Sequence, residues 1–393
     1  MGKGRRELFR YSLREDPDTG VQVQRLSPSG HTCLRNYFYQ KAFSSDGERL
    51  ILGCDIDGAL DLWLLELKSG LALQLSEGGT ASIQGAYLSA DERWVYFNRG
   101  RRAHVRLDLE TLQEETVYTL PEGWLAYGTW EANRDTTRVA GIEMWAADRV
   151  SGLEGWERFA EQYRRRPRQR LIDIDIGSGD AQVVFEDRRF IGHPMYRPGD
   201  DGLMGFCHEG PHDLVDSRIW LVGRDGRGLR PARPGRAGEA CMHEFWAPDG
   251  SRLFYVLYRK GEDRRRLCAY DPDREENIEL MEIPPCAHLM CDPTGCLLAG
   301  DGAGQLGDVD DKAGFAFRPD PHIHLFDLRD KSERILCRHD STWAVYDGNT
   351  QASHPHPSFT PDGGRVLFAS DAEGLPALYL AELPDGVREK GRK

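Results

Sequence analysis

One phrase of apolar and polar positions recurs along the chain: an apolar stretch, a turn of the form Ser/Pro-x-Asp-Gly, and then strands alternating at period two. Seven copies can be placed: FSSDGERLILG from Phe43, LSADERWVYFN from Leu88, a weaker WEANRDTTRVAGIE from Trp130, YRPGDDGLMGFC from Tyr196, WAPDGSRLFYVLY from Trp246, CDPTGCLLAGDG from Cys291 and FTPDGGRVLFAS from Phe359. Gly47 to Glu92 spans 45 residues, and Gly250 to Gly295 spans 45 again, which is the period of a four-stranded propeller blade. The pattern therefore predicts an all-β fold, a single seven-bladed β-propeller over residues 1–393 with four-stranded antiparallel blades. The seventh unit is a strand short, because little follows PALYLAEL. The segment 1–30, through VQVQRLS near Val21, is expected to supply the missing strand and lock the ring. A β-sandwich with similar turns is the alternative, and regular repetition speaks against it.

The register of the repeat also places chemistry. Seven residues before the turn glycines Gly250, Gly295 and Gly363 stand His243, His288 and His356. That position is where the chain begins the innermost strand of a blade, so side chains from neighbouring blades would converge near the channel mouth. His354 could point to the same side, and Gln351 offers an amide oxygen. Units one, two and four carry Gln40, Gly85 and Met195 there, so the fold does not demand histidine. Converging neutral imidazoles suit a divalent metal, although a lone histidine is more often a packing residue. His322 and His324 form another H-x-H pair, read as surface or packing residues. Unusual loops follow the second strand of units three, four and six, with insertions at 143–170 and 301–322 and the segment HEGPHDLVDSR between them. These loops open on the histidine face, where long loops serve as binding walls.

Charge and cysteine usage narrow the class. Fifty-one basic against sixty-four acidic residues leave a net charge of −13, which argues against a nucleic-acid partner. The run YRRRPRQR at Tyr163–Arg170 is the exception, either a solvated loop or a collector for an anionic ligand. Nine cysteines without CxxC spacing read as reduced packing thiols, the loose Cys286, Cys291 and Cys296 group included. Basic residues at the start are followed by no apolar run, and no stretch has the length of a membrane span. The expected location is cytoplasmic.

Taken together, MHEFWAPDG around His243, AHLMCDPTG around His288, Q-x-x-H-x-H at Gln351, His354 and His356, and FCHEGPHDLVDSRIW from Phe206 to Trp220 resemble the oligogalacturonate lyase family. The resemblance covers nearly the whole chain. It implies a seven-bladed propeller that uses manganese or another divalent transition metal to split short, often unsaturated, galacturonides from pectin. Digalacturonate would be converted to 5-dehydro-4-deoxy-D-glucuronate inside the cell. By the same resemblance His288, Gln351, His354 and His356 would hold the metal and His243 would be the base. Arg218 would bind the uronate carboxylate and His208 would be a further contact. The proton donor is left open between water and His208, and His212 is given no role. An oligogalacturonide is the implied partner, with no nucleic acid and no membrane. Two other readings compete. A propeller-bearing serine peptidase would need a G-x-S-x-G elbow, which is missing; a non-catalytic module binding protein or sugar acids would not need histidines in one register.

Overall fold

The computed structural model describes residues 2–212, 214–302 and 320–388. Strands dominate, gathered into seven antiparallel sheets that follow one another along the chain. Each sheet is one expected unit, and the turn phrase closes the hairpin between its two innermost strands. In the first, Gly47 N–H donates to the Ser44 carbonyl, while the Ser44 hydroxyl accepts from Arg49 N and Asp46 accepts from Glu48 N. The seventh repeats this with Gly363, Thr360, Asp362 and Gly364. The short side-chain oxygens thus take over donors the turn leaves unpaired. Glycine is required because φ is +71° at Gly47 and +66° at Gly363.

The core is divided among the seams. Each of seven apolar clusters joins two adjacent blades, as Leu88, Val95 and Phe97 of the second do with Ile51 and Leu62 of the first, and Leu367 and Leu380 of the seventh with Leu50 and Trp63 of the first. Burying such side chains contributes about 1.5–3 kcal/mol each, so no blade is stable alone and the ring is the cooperative unit.

Closure uses more of the N-terminal segment than a single strand. Gln22–Arg25 pairs with Ala377–Glu382 in the seventh sheet, and Ser12–Glu15 pairs outside it. Arg6–Leu8 then crosses to the first sheet, as a fifth strand on Leu71–Gln74, and Phe9 packs in the seam between the two. Helix is sparse among the described residues: Gly155–Arg164 and Asp385–Arg388, with a 3-10 turn at Ala146–Asp148. No described helix is long and apolar enough to cross a membrane. Of the expected loop at 301–322, residues 303–319 lie outside the described part.

Candidate functional site

The innermost strands do not run straight into the channel. Pairing slips between Tyr127 and Glu131 in blade 3, Gly192 and Met195 in blade 4, Met242 and Phe245 in blade 5, and Cys286 and Leu289 in blade 6. Such bulges re-aim side chains, which is why they gather beside active sites. His243 sits in its bulge with φ +55°, and His356, just before the short strand Ser358–Phe359, has φ +46°. These are left-handed conformations, uncommon for any residue but glycine and costly to hold.

The register prediction is met in space. The ring centroids of His288 and His356 lie 4.0 Å apart, those of His288 and His243 4.6 Å, and those of His288 and His354 5.3 Å. One nitrogen each of His288, His354 and His356 falls within 4.8 Å of the others, and all three residues are buried. Gln351 belongs to the same stretch, where its backbone N–H donates to Asn349 Oδ1 and its carbonyl accepts from His354 N. Gln351 Oε1 and His356 Nε2 are buried with no hydrogen-bond partner among the described residues. Orphaned acceptors of this kind are costly in a dry site, and a cation would satisfy them. Burial, reinforced by His288 and His354, holds the His356 imidazole well below its usual pKa, so it presents a lone pair. These residues therefore fit a divalent ion held by neutral nitrogen and amide-oxygen donors.

Three supports were not visible in the sequence. Asp301, on the second strand of blade 6, accepts from His288 N at 2.6 Å and pairs with its Nδ1 at 2.9 Å, fixing the ring with Nε2 turned the other way. It also accepts from His356 N at 3.3 Å. Arg35, buried beneath, donates to the His356 carbonyl and to Ser358 Oγ. Trp343 lays its ring 4.3 Å from that of His354.

Next to the histidines stands a buried ion pair. Arg218 Nε and Nη2 donate to Glu244 at 2.9 and 3.3 Å. Glu244 follows His243 directly, so blade 5 supplies both the imidazole and the carboxylate that aims the guanidinium. Burial opposes both charges, but Cys207, Glu244 and Glu209 together raise Arg218 against it, and Arg218 with His193 lowers Glu244. Burial, with the neighbouring His288 and Arg218, also depresses His243 well below its usual value.

One expected contact falls elsewhere. His208 is not brought to the ring: it packs 4.8 Å from Trp220 and 6.0 Å from Phe206, and burial aided by Arg189 lowers its pKa to about 4. Successive side chains of a strand face opposite ways, and it is the next residue, Glu209, that faces the channel, 3.0 Å from His193 Nε2. His193 itself, at φ +51° in the blade-4 bulge, went unseen because the turn falls at Gly199 rather than Gly202, Arg197 pairing with Asp200. Four arginines of the basic run are already paired. Arg164 and Arg165 pair with Glu161, Arg168 with Glu186, and Arg170 with Glu143 while lying over Trp124. The insertion does build wall: Tyr163 donates to the Leu214 carbonyl of the blade-4 loop at 2.5 Å, and Gly155 abuts Thr350.

Comparison with known proteins gives a consistent result. The sequence profile of a family described as Oligogalacturonate lyase matches residues 1–387. The oligogalacturonate lyase of Dickeya dadantii is 44% identical over 387 residues, covering 98% of this chain and 100% of the relative. The oligogalacturonide lyase of Pectobacterium atrosepticum is 43% identical over the same extent. A solved structure of an oligogalacturonate lyase in complex with manganese superposes with a TM-score of 0.92 at 43% identity, covering 98% of this chain and all of that one.

Proposed function

The chain belongs to the oligogalacturonate lyase family, it is an enzyme that cleaves oligogalacturonides, and we propose that it does so by β-elimination at the histidine-lined channel mouth. In this reading His288, Gln351, His354 and His356 hold manganese or a similar divalent ion, His243 is the base and Arg218 binds the uronate carboxylate. The observation that carries it is the meeting of His243, His288, His354 and His356, from three blades, beside the Arg218–Glu244 pair.

Elimination removes the weakly acidic hydrogen on C5, alpha to a carboxylate that is already an anion, and expels the oxygen on C4. When bound, a dication among neutral ligands supplies undiminished positive charge against the charge that builds on that carboxylate. The rest falls to the chain. Arg218 offers its planar, permanently charged donors to a carboxylate oxygen, and Glu244 keeps the guanidinium from swinging away. His243, neutral because burial and neighbouring positive charge disfavour its protonated form, has a lone pair ready for the C5 proton. Its strained backbone fixes where that lone pair points. The walls formed by the helix Gly155–Arg164 and the blade-4 loop narrow the mouth and limit water around the reacting carbon.

Digalacturonate is the proposed preferred substrate. The nine cysteines are all free thiols, which suits a reducing compartment, and the proposed setting is cytoplasmic. A purely binding propeller is not favoured. The test is direct: protein, digalacturonate and manganese are mixed, and ultraviolet absorbance of the 4,5-unsaturated product is followed with and without chelator. Absorbance should rise and the chelator should suppress it; a trace that stays flat in both cases would sink the reading.

A further inference from the structure

In blades 4, 5 and 7 the residue held in left-handed backbone at the channel wall is a histidine: His193, His243 and His356. Blade 3 makes the same turn with Gly128, φ +61°, which incurs no steric cost. A histidine there costs on the order of 1–3 kcal/mol, so the conformation is retained for what the imidazole does. His243 and His356 have roles in the reading above, and His193 has none.

His193 shares the chamber of the metal cradle. The Tyr37 ring lies 5.2 Å from His193 and also 5.2 Å from His356. The two nitrogens of His193 face different partners. Nε2 meets Glu209 Oε1 at 3.0 Å, while Nδ1 lies a long 3.4 Å from the Tyr39 hydroxyl, which is engaged with Thr129 Oγ1 at 2.5 Å. The His193 side chain is also 20% exposed, against 4% for His288, so one edge is open to a ligand.

The chemistry lacks a group of this type. As the C5–H electrons form the C4=C5 bond, the C4–O bond breaks and its electron pair leaves with the oxygen, which needs a proton. In a galacturonide the C5 hydrogen and O4 stand on opposite faces of the ring, so base and acid must come from different walls. We infer that His193, its Nε2 held by Glu209, is the catalytic acid that protonates the departing glycosidic oxygen. The Nδ1–H bond breaks as the new O–H bond forms, leaving a neutral imidazole with Nε2 still on Glu209. The proton gained by His243 and the one lost by His193 exchange with water between turnovers. Burial alone would raise the Glu209 pKa, but the charge and hydrogen bond of His193 outweigh it and hold it at about 2, so the carboxylate stays ionised opposite the ring. This assignment rests on the elimination reading with His243 as base.

The test separates an acid from a merely structural residue through the leaving group. Parent, His193→Gln, Glu209→Gln and His243→Ala are assayed on digalacturonate and on 4-deoxy-4-fluorogalacturonate, in which fluorine takes the place of the departing oxygen on C4 of the ring that loses its C5 hydrogen, so that fluoride departs without needing a proton. On digalacturonate His193→Gln should lose about 10²-fold or more in kcat, the scale of general acid catalysis, and Glu209→Gln about tenfold. Both should stay within about threefold of parent in fluoride release. Parallel losses on the two substrates, or a digalacturonate rate for His193→Gln within threefold of parent, overturn the assignment, and Glu209→Gln decides in the same way if the first variant does not fold. His243→Ala must silence both substrates; if it does not, the elimination reading itself has failed.

Discussion

Two histidine clusters lie close together in sequence, at residues 288, 354 and 356 and at residues 320, 322 and 324, and each brings three potential ligand atoms within 4.8 Å of one another. Their electrical surroundings are opposite. In the first, the carboxylate of Asp301 stands behind His288 on Nδ1, and His356 Nε2 and Gln351 Oε1 have no hydrogen-bond partner among the described residues. In the second, Asp320 sits between the rings, 2.8 Å from His322 Nδ1 and 2.9 Å from His324 Nε2, with Asp18 and Glu333 beyond them. Burial would lower the pKa of His324, but Asp320 and Glu333 outweigh it and push it up to about 9. One cluster offers lone pairs and the other consumes protons. Spacing of histidines alone does not make a metal site; what matters is whether the neighbouring carboxylates stand behind the rings or among them.

That contrast breaks most visibly through His243, which belongs to the first cluster's chamber without being a proposed ligand. His243→Ala should lower turnover of digalacturonate by roughly 10³-fold, within the range for loss of a general base, with bound manganese unchanged by elemental analysis; loss of the metal would make the residue a ligand. His288→Ala or His356→Ala should weaken manganese binding by more than about 10²-fold in titration calorimetry, judged against removal of a whole ligand rather than its outer support. His322→Ala should leave that binding as it is, and equal losses in the two clusters would erase the distinction. Asp301→Asn sharpens it further: support from behind is worth about 10–100-fold in metal affinity, so an unaltered affinity would show that His288 needs no such support.

The smallest effect belongs to the second cluster and concerns stability. The folded pKa of His324 lies above its unfolded value of about 6.5, so its contribution is complete below that value and is lost as pH rises through about 9. The free energy of unfolding should fall between pH 7 and pH 10, by up to about 3 kcal/mol from this group. In His324→Asn that component of the slope should vanish, and a slope identical to parent would refute the assignment.

The fold was legible because the turn phrase is local: hydroxyl, carboxylate and glycine act within a few residues, and they recur with nearly constant spacing. The same constancy exposed His243, His288 and His356. It failed at His193, where two glycines follow the inner strand and the tighter turn at Gly199 shortens the count by one. Asp301 and Arg35 could not be read at all, since their partners are brought to them by pairing between strands and by ring closure. His208 and Glu209 show a different limit. Alternation says that one of two neighbours faces inward, and only the sheet decides which.

The clasp between the first and last blades also sets a timetable. Val23 pairs with Ala381, so at roughly 5–20 residues per second the ribosome needs on the order of 20–70 s between making the two. For that interval the nascent arc carries an unsatisfied edge at each end, and its amino-terminal hairpin must wait for a partner not yet translated. Slow elongation late in the message would lengthen that exposure, making the closing blade the stage at which a chaperone has most to shield.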